Sequence, residues 1–202
     1  MKDTYNTIAS PSVETLFKDR NSKFFGYAFR VQNEEEVKER LQELRELHPS
    51  AGHHCYAYQL GVANVKYRVN DDGEPSNSAG MPIYGQIQSF DVTDVLIVSI
   101  RYFGGVKLGV GGLINAYRSS AKLALEASEI VEKTIQVTFQ LNFGYDLMNK
   151  VMRIIKERNL TLIHQKMELD CEFVVATRLR DADAIQEILE SVYKLEVRRL
   201  VS

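Results

Sequence analysis

The segment "DVLIVSIRYFGGVKLGVGGLINAYRSSAKLALEA", residues 94–127, determines how the first part of the chain folds. Its first ten residues are nearly all apolar, which is typical of a central strand covered on both faces. Five glycines then occupy nine positions, and from Leu113 the apolar spacing predicts an amphipathic helix. Glycine is costly within regular structure, so this cluster indicates a tight turn or a close approach of the backbone to another group.

A glycine-rich connection between a buried strand and a helix is a common place for phosphate binding, but neither familiar nucleotide motif is present. A dinucleotide fingerprint beginning at Gly109 requires glycine at position 114, where Ile114 stands. A P-loop beginning at Gly104 requires lysine at position 110, where Val110 stands. The sequence therefore excludes both nucleotide motifs.

Two interpretations of the glycine segment remain open. In the first, free backbone N–H groups near Gly111, Gly112 and Leu113 hold one anionic group, with Arg101 and Lys107 nearby. In the second, the segment is a tight strand-to-helix connection that packs against its neighbours and binds nothing.

The residues before this segment predict two further pairs of strands and a helix. Residues 12–32 predict a hairpin that turns at Asn21-Ser22. Asn33 is the predicted N-cap of a helix whose apolar stripe includes Leu47, and Glu36 completes a capping box. The segments 53–60 and 65–71 predict the second strand pair.

The last seventy residues follow the order β-α-β-β-α-β, which is the split βαβ, ferredoxin-like pattern. Asp181 is the expected cap of the second helix in this pattern. We therefore expect an α+β protein of two domains, residues 1–130 and residues 131–202.

Composition and charge exclude several classes of protein for this sequence. The chain has 202 residues and a formal net charge of −2, so no global field attracts it to nucleic acid or to anionic membranes. Its apolar runs are too short to span a bilayer, and no signal sequence begins the chain. Cys55 and Cys171 lie far apart, which favours free thiols in a cytoplasmic protein.

The acidic stretch "DDGEPSNSAG", residues 71–80, also has two interpretations. Asp71, Asp72 and Glu74 are oxygen donors that suit Mg²⁺ or another hard cation. The same residues, with Gly73 and Pro75, are well explained as a turn, which is the favoured interpretation, because Asp and Gly favour turn geometry and Pro fixes φ.

The stretch "HHCY", residues 53–56, places His53 and Cys55 on one face of a strand and His54 on the other. A structural zinc site needs four protein ligands, and no second close Cys/His pair exists in the sequence. A Cys–His nucleophilic pair is conceivable, but a lone cysteine is more often a buried packing residue.

Three of these segments together resemble the YigZ/IMPACT family. They are "HHCYAYQL", "DDGEPSNSAGMPIYGQI" and "RYFGGVKLGVGGLINAYRSSA", and their order and spacing match the family between about residues 20 and 128. The C-terminal segment resembles the small domain of bacterial YigZ-type members. The stretch "PSNSAG" departs from the common "PSGTAG", since Asn77 and Ser78 replace Gly and Thr.

The resemblance implies a first domain with a mixed β-sheet and helices, in the fold of a small-subunit ribosomal protein and of elongation factor G domain four. It implies a second domain similar to the C-terminal domains of elongation factor G. Eukaryotic members are translational regulators that bind the scaffold of a starvation kinase, and that specific role does not carry over to a bacterial-type chain.

The resemblance also implies a set of site residues gathered in one cleft, to which the local chemistry adds Lys107. The residues are His53, His54, Asp71, Asp72, Glu74, Arg101, Tyr102, Gly104, Gly105, Lys107, Gly109, Gly111 and Gly112.

Three hypotheses about function follow. The first is a non-catalytic binding protein connected with the regulation of translation, with no cofactor and no metal, which grips RNA phosphate, the ribosome or a translation-associated protein. The alternative is an enzyme acting on a phosphorylated or other anionic small molecule, with His54 as acid or base and a metal on the acidic loop. In the third, the motifs serve mainly the fold, while the split βαβ domain supplies an interaction surface. Membrane binding is not expected, and the oligomeric state is left open.

Overall fold

The computed structural model describes residues 3–200, which divide into two compact units. The N-terminal unit is Tyr5–Lys133, and the C-terminal unit combines residues 3–4 with residues 134–200. Residues 1–2 and 201–202, which the expected domains include, lie outside the described range. Among the described residues, no helix is both long enough and apolar enough to cross a bilayer.

The N-terminal unit consists of strands and helices in an α+β arrangement. In chain order the elements are β1 (Thr4–Ile8), β2 (Thr15–Asp19), β3 (Ser22–Arg30), α1 (Glu34–Leu47), β4 (His53–Leu60), β5 (Lys66–Asn70), α2 (Gly80–Ser89), β6 (Val95–Tyr102), α3 (Gly109–Glu126) and β7 (Ile130–Thr134). Strands β1 and β7, which the apolar pattern does not predict, form a separate two-stranded sheet.

The main sheet has five strands in the order β2-β3-β6-β4-β5. Strand β6 is central, as its continuous apolar run predicts. The four pairings are all antiparallel. The reason is that β6 lies between two hairpins and runs opposite to its neighbour in each.

Helices cover both faces of this sheet. Helices α2 and α3 pack on one face through Ile83, Ile87 and the apolar stripe of α3, against side chains such as Phe24 and Ile97. Helix α1 packs on the opposite face through Val37, Leu41 and Leu44. Because side chains alternate along a strand, neighbouring residues of β4 and β6 belong to different faces.

The local signals in the first half are confirmed with two exceptions, the burial of Leu47 and the position of the β2–β3 turn, which lies at Arg20-Asn21 and not at Asn21-Ser22. Asn33 caps α1 by accepting a hydrogen bond from the Glu36 N–H at 2.9 Å, as the capping pattern predicts. The β2–β3 turn contains Arg20 and Asn21, both at positive φ, which matches a two-residue hairpin turn. Leu47 is exposed although the stripe predicts burial, because α1 ends there and its last turn extends past the sheet contact.

Helix α3 begins at Gly109, four residues before the predicted start at Leu113. Three of the five glycines therefore belong to the first turn of the helix, although glycine is a poor helix former. Gly104 has a different role, because a Cβ built on it would lie 2.1 Å from the Asn21 carbonyl carbon and 2.3 Å from the Ser22 nitrogen. The backbone after β6 thus passes directly against the β2–β3 turn.

The C-terminal unit has the ferredoxin-like topology that the sequence predicts. Its elements are β8 (Gln136–Phe143), α4 (Met148–Glu157), β9 (Thr161–Met167), β10 (Cys171–Arg178), α5 (Ala182–Glu190) and β11 (Glu196–Leu200). The sheet order is β11-β8-β10-β9, with every pairing antiparallel. Asp181 stands at the N-cap of α5, but its side chain makes no capping hydrogen bond because the preceding residues form a 3-10 turn.

The close approach at Gly104 generates a stability prediction. We expect Gly104→Ala to lower the free energy of unfolding by about 2 kcal/mol or more, because the new methyl group meets backbone atoms that cannot rotate away. Gly111→Ala is the matched control. It lies within α3 with open space around it, so we expect a gain of about 0.5 kcal/mol. Urea unfolding measures both, and equal effects of the two substitutions would contradict this account.

Candidate functional site

A buried ion pair joins two of the sequence motifs. Arg101, at the end of β6, donates from Nη1 to Oε1 of Glu74 in the acidic loop at 2.7 Å. The two side chains are only 6% and 4% exposed. The Arg101 guanidinium also lies over the Phe24 ring, with 5.6 Å between its central carbon and the ring centroid. Charges so far removed from water are stabilised only by close partners of this kind.

Helix α3 contributes a third member to this network. The hydroxyl of Tyr117 donates to the same Glu74 Oε1 at 2.7 Å. Burial raises the pKa of the Tyr117 hydroxyl, and the neighbouring Cys55 and Glu74 raise it further. Tyr117 is therefore neutral and acts as a hydrogen-bond donor. We call Glu74, Arg101 and Tyr117 the buried network.

Cys55 lies beside this network but is not poised for reaction. Its Sγ donates to the Asp71 carbonyl oxygen at 3.0 Å, and the side chain is buried. Burial raises the pKa of the Cys55 thiol, so the reactive thiolate is disfavoured. Both cysteines are free in the structure, as their separation in the sequence predicts.

The carboxylates of the acidic loop accept hydrogen bonds from the protein's own backbone. Asp71 Oδ1 accepts hydrogen bonds from the N–H groups of Ala79 and Gly80 at 2.9 and 2.8 Å. Asp71 therefore caps the start of α2, although it lies well before the helix in the sequence. Its Oδ2 accepts from the Asn77 N–H at 2.8 Å. Asp72 Oδ2 accepts from the His54 N–H at 2.6 Å. These bonds favour the turn interpretation of the loop.

The contacts of the three carboxylates do not support the metal interpretation of the acidic loop. Asp71 and Asp72 are directed at backbone N–H groups, and Glu74 is directed at Arg101 and Tyr117. Within residues 3–200, no three His, Cys, Asp or Glu side chains are grouped so that they could hold a metal ion.

His53 borders the buried network on its partly exposed side. Its Nδ1 lies 2.8 Å from the Asp72 carbonyl oxygen, and its Nε2 lies 3.9 Å from Glu74 Oε1. A carbonyl oxygen only accepts hydrogen bonds, so His53 Nδ1 donates to it. The His53 side chain is 27% exposed, so solvent reaches it, whereas Glu74 and Arg101 are almost fully buried.

Strand alternation places the side chains of His54 and Tyr102 on the α1 face, away from the buried network, although His54 Nδ1 lies 3.9 Å from Asp72 Oδ2. The Tyr102 hydroxyl lies 3.0 Å from His48 Nδ1, and His48 Nε2 lies 2.6 Å from the Tyr27 hydroxyl. Tyr27 in turn donates to Glu14. Since Tyr27 has one hydroxyl proton, His48 Nε2 donates to it, and His48 Nδ1 accepts from Tyr102.

The exposed part of the candidate site is the glycine loop, which we define as residues 103–112. Helix α3 has no side-chain cap and no acidic residue in its first turn. Because the helix begins at Gly109, the free N–H groups are those of Gly109, Val110 and Gly111, and not the later set that the sequence predicts. Lys107 is exposed and makes no ion pair or hydrogen bond with any residue in the range 3–200.

The structure thus divides the thirteen expected residues into three groups. His53, Asp71, Asp72, Glu74 and Arg101 lie together, and Tyr102 contacts the opposite face. The His54 ring lies on that opposite face, with its Nδ1 3.9 Å from Asp72 Oδ2. Gly104, Gly105, Lys107, Gly109, Gly111 and Gly112 form the loop and the helix start that follow Arg101.

Sequence reasoning missed two polar residues of the network. Ser22 accepts from the Gly104 N–H at 3.2 Å and lies 3.5 Å from Arg101 Nη2. Tyr117 lies four residues after Leu113, so the apolar spacing of the helix accounts for its burial but not for its hydrogen bond. The signal for Tyr117 was its hydroxyl, because a buried tyrosine usually needs a hydrogen-bond partner. Ser22 carried no comparable signal, since serine is common in hairpin turns.

The buried ion pair predicts a large stability difference between two similar substitutions. We expect Glu74→Gln to lower the free energy of unfolding by about 3 kcal/mol, because it leaves the Arg101 charge buried without a counter-charge. The control is Glu43→Gln, which removes the exposed Arg40–Glu43 pair and should cost less than about 1 kcal/mol. Urea unfolding compares them, and an equal cost would exclude a special role for the buried pair.

The burial of His54 predicts that the stability of the protein depends on pH. Burial lowers the pKa of His54 below its ordinary value of 6.5, so the unfolded chain takes up a proton first as the pH falls. Stability is therefore fully present above about pH 6.5 and is lost as the pH falls towards the lower, folded-state pKa.

Unfolding titrations at about pH 7.5 and about pH 5.5 measure this loss. We expect His54→Asn to reduce the difference between the two pH values, whereas His164→Asn, on an exposed edge strand, leaves it unchanged. A difference that is the same in wild type and His54→Asn would contradict the assignment.

Comparison with known proteins adds to this geometry. The family model for the Impact N-terminal domain matches residues 20–125, a range that contains the buried network and the glycine loop. The IMPACT family member YvyE of Bacillus subtilis (strain 168) is 32% identical over 187 residues, which cover 93% of this chain and 86% of that protein. The IMPACT family member YigZ of Escherichia coli (strain K12) is 29% identical over 150 residues, which cover 73% of this chain and 74% of that protein.

A solved structure described as the crystal structure of a hypothetical protein has the same fold. It matches with a TM-score of 0.76 at 23% identity, and the alignment covers both chains completely. The family match spans more than half of the chain, and YvyE aligns over nearly all of it. The chain therefore belongs to the IMPACT family.

Proposed function

We propose that the chain is a non-catalytic binding protein connected with the regulation of translation, and that its ligand contacts the glycine loop. One observation carries the proposal. Arg101 precedes the loop and Tyr117 follows it, and both bind the same oxygen, Oε1 of Glu74. The two ends of the loop are thereby fixed from inside the protein, while the loop itself remains exposed. An exposed loop on a rigid support is a common form of binding site.

The chemistry of the loop suits an anionic group. Three backbone N–H groups at the start of α3 lack intrahelical partners, and Lys107 adds a positive charge nearby. Arg101 has a different role from the one that its charge first indicates. Glu74 neutralises it within the protein, so Arg101 is a positioning residue and not a ligand of the anion.

The connection with translation rests on the family. The IMPACT resemblance implies folds shared with a ribosomal protein and with elongation factor G, and it implies eukaryotic relatives that regulate translation. We propose an RNA phosphate, on the ribosome or elsewhere, or a translation-associated protein as the ligand, and the cytoplasm as the place of action. We also propose that residues 1–130 and 131–202 are the two domains of this protein.

The enzymatic alternative has less support from the same contacts. Its acid–base candidate, His54, lies on the α1 face of the sheet with Nδ1 3.9 Å from Asp72 Oδ2, whereas Glu74 belongs to the network on the other face. The Asp71 and Asp72 carboxylates accept hydrogen bonds from backbone N–H groups. A metal-assisted reaction needs these groups to converge on one point with free oxygens.

Co-sedimentation with ribosomes from the native host tests the proposal. We expect wild-type protein to sediment with ribosomes or with RNA, and Lys107→Ala to weaken this association because it removes the free charge of the loop. Lys38→Ala is the matched control, since it removes an exposed lysine from α1. Ribonuclease treatment separates an RNA ligand from a protein ligand. Wild-type protein that associates with neither ribosomes nor RNA would end this proposal.

A further inference from the structure

We propose that the β2–β3 turn and the glycine loop together bind a single-stranded polynucleotide, with phosphates at Lys18, Arg20, Lys23 and Lys107 and one base stacked on Phe103. This inference rests on the proposed function and specifies its ligand. It adds the β2–β3 hairpin, in which neither the motifs nor the family resemblance indicate a binding role. Under the proposed function the polynucleotide is RNA.

The hairpin turn and the glycine loop form one continuous surface. Gly104 lies against the turn so closely that a Cβ would come within 2.1 Å of Asn21. The Gly104 N–H donates to Ser22 Oγ at 3.2 Å. A ligand that contacts Lys107 in the loop therefore lies near the turn, where Arg20 is exposed.

Positive charge is concentrated on this surface. Residues 15–24 and 101–113 contain five basic residues and one acidic residue, Asp19, in a chain whose net charge is −2. Arg101 is neutralised by Glu74, and the other four basic side chains are exposed. Within the described part of the chain, none of these four forms an ion pair or a hydrogen bond. Free cations grouped in this way favour a polyanion.

Two of the lysines face each other directly. Lys18 on β2 is the cross-strand partner of Lys23 on β3. Like charges opposite each other on antiparallel strands destabilise the sheet, and no described carboxylate relieves the repulsion. Phosphates bound at the two ammonium groups would remove this cost, which makes both lysines natural phosphate contacts.

An exposed aromatic ring lies at the same end of the sheet, on the side of α2 and α3, whereas Lys18 and Lys23 project to the α1 side, so a bound strand passes around this end of the sheet. Phe103 is 58% exposed and follows Tyr102, the cross-strand partner of Lys23. The Arg101 guanidinium carbon lies 5.5 Å from the Phe103 ring centroid, so the buried network also helps to hold the ring. Proteins that bind single strands combine such aromatic rings with cations that follow the phosphate backbone.

Stacking on the Phe103 ring predicts a preference for single strands over duplexes. Bases in a duplex already stack on one another and cannot stack on a protein side chain, whereas unpaired bases can. We therefore expect the wild-type chain to bind single strands more tightly than duplexes of equal length. Four phosphate contacts predict a slope of about −3 for the logarithm of the binding constant against the logarithm of salt concentration.

Fluorescence anisotropy of the full chain with a labelled uridine oligonucleotide of about ten residues tests the proposal. Phe103→Leu keeps an apolar side chain and removes the ring, so we expect about tenfold weaker binding with little change in the salt slope. The double variant Lys18→Ala/Lys23→Ala should weaken binding and make the salt slope shallower by about one to one and a half. Thermal melting verifies that both variants fold.

Two controls match these changes. Tyr193→Leu removes another exposed aromatic ring beside a cation, Lys194, in the C-terminal unit, and Lys38→Ala removes an exposed lysine. Both should leave affinity unchanged. An RNA duplex and a single-stranded DNA of equal length are the further ligands. Weaker binding of the duplex supports the stacking role, and the DNA shows whether the sugar is also recognised.

The inference is overturned if the duplex binds as tightly as the single strand, or if the hairpin and Phe103 variants retain wild-type affinity. In either case, wild-type protein that still sediments with ribosomes leaves the proposed function standing. Absence of both ribosome association and oligonucleotide binding would instead remove the proposed function itself.

Discussion

The N-terminal unit depends on the placement of one charged pair away from water. Arg101 and Glu74 come from segments 27 residues apart, and both are almost fully buried. Their desolvation is unfavourable unless the geometry is close and the remaining polar atoms find partners. Tyr117 supplies such a partner for Glu74. The pair thus joins a loop, a central strand and a helix at a single carboxylate oxygen.

Several motif residues then have structural roles that support this pair. Asp71 caps α2 through two backbone N–H groups, and Asp72 accepts from the His54 N–H, so the acidic loop is held against β4. Residues that look like catalytic or metal-binding groups in the sequence therefore form the support of an exposed loop. The binding chemistry that remains belongs to backbone N–H groups, to unpaired lysines and to Phe103.

The sequence predicts what local patterns determine and misses what long-range packing determines. The Asn33 cap, the central apolar strand and the ferredoxin-like order follow from capping, periodicity and element order. The early start of α3 does not, because glycine has a low helix propensity and only tertiary contacts override it. Because side chains alternate along a strand, the sequence alone predicts that His53 and His54 lie on different faces of the sheet. Nothing local, however, indicates that Glu74 and Tyr117 meet at Arg101.

A double-mutant cycle on Glu74 and Arg101 tests the central claim most directly. The free energies of unfolding of Glu74→Gln, Arg101→Met and the double variant give the coupling between the two side chains. The account predicts a coupling of at least about 2 kcal/mol, with the double variant more stable than the sum of the single effects implies. Single effects that add to within about 0.5 kcal/mol would contradict it, because independent residues behave in that way.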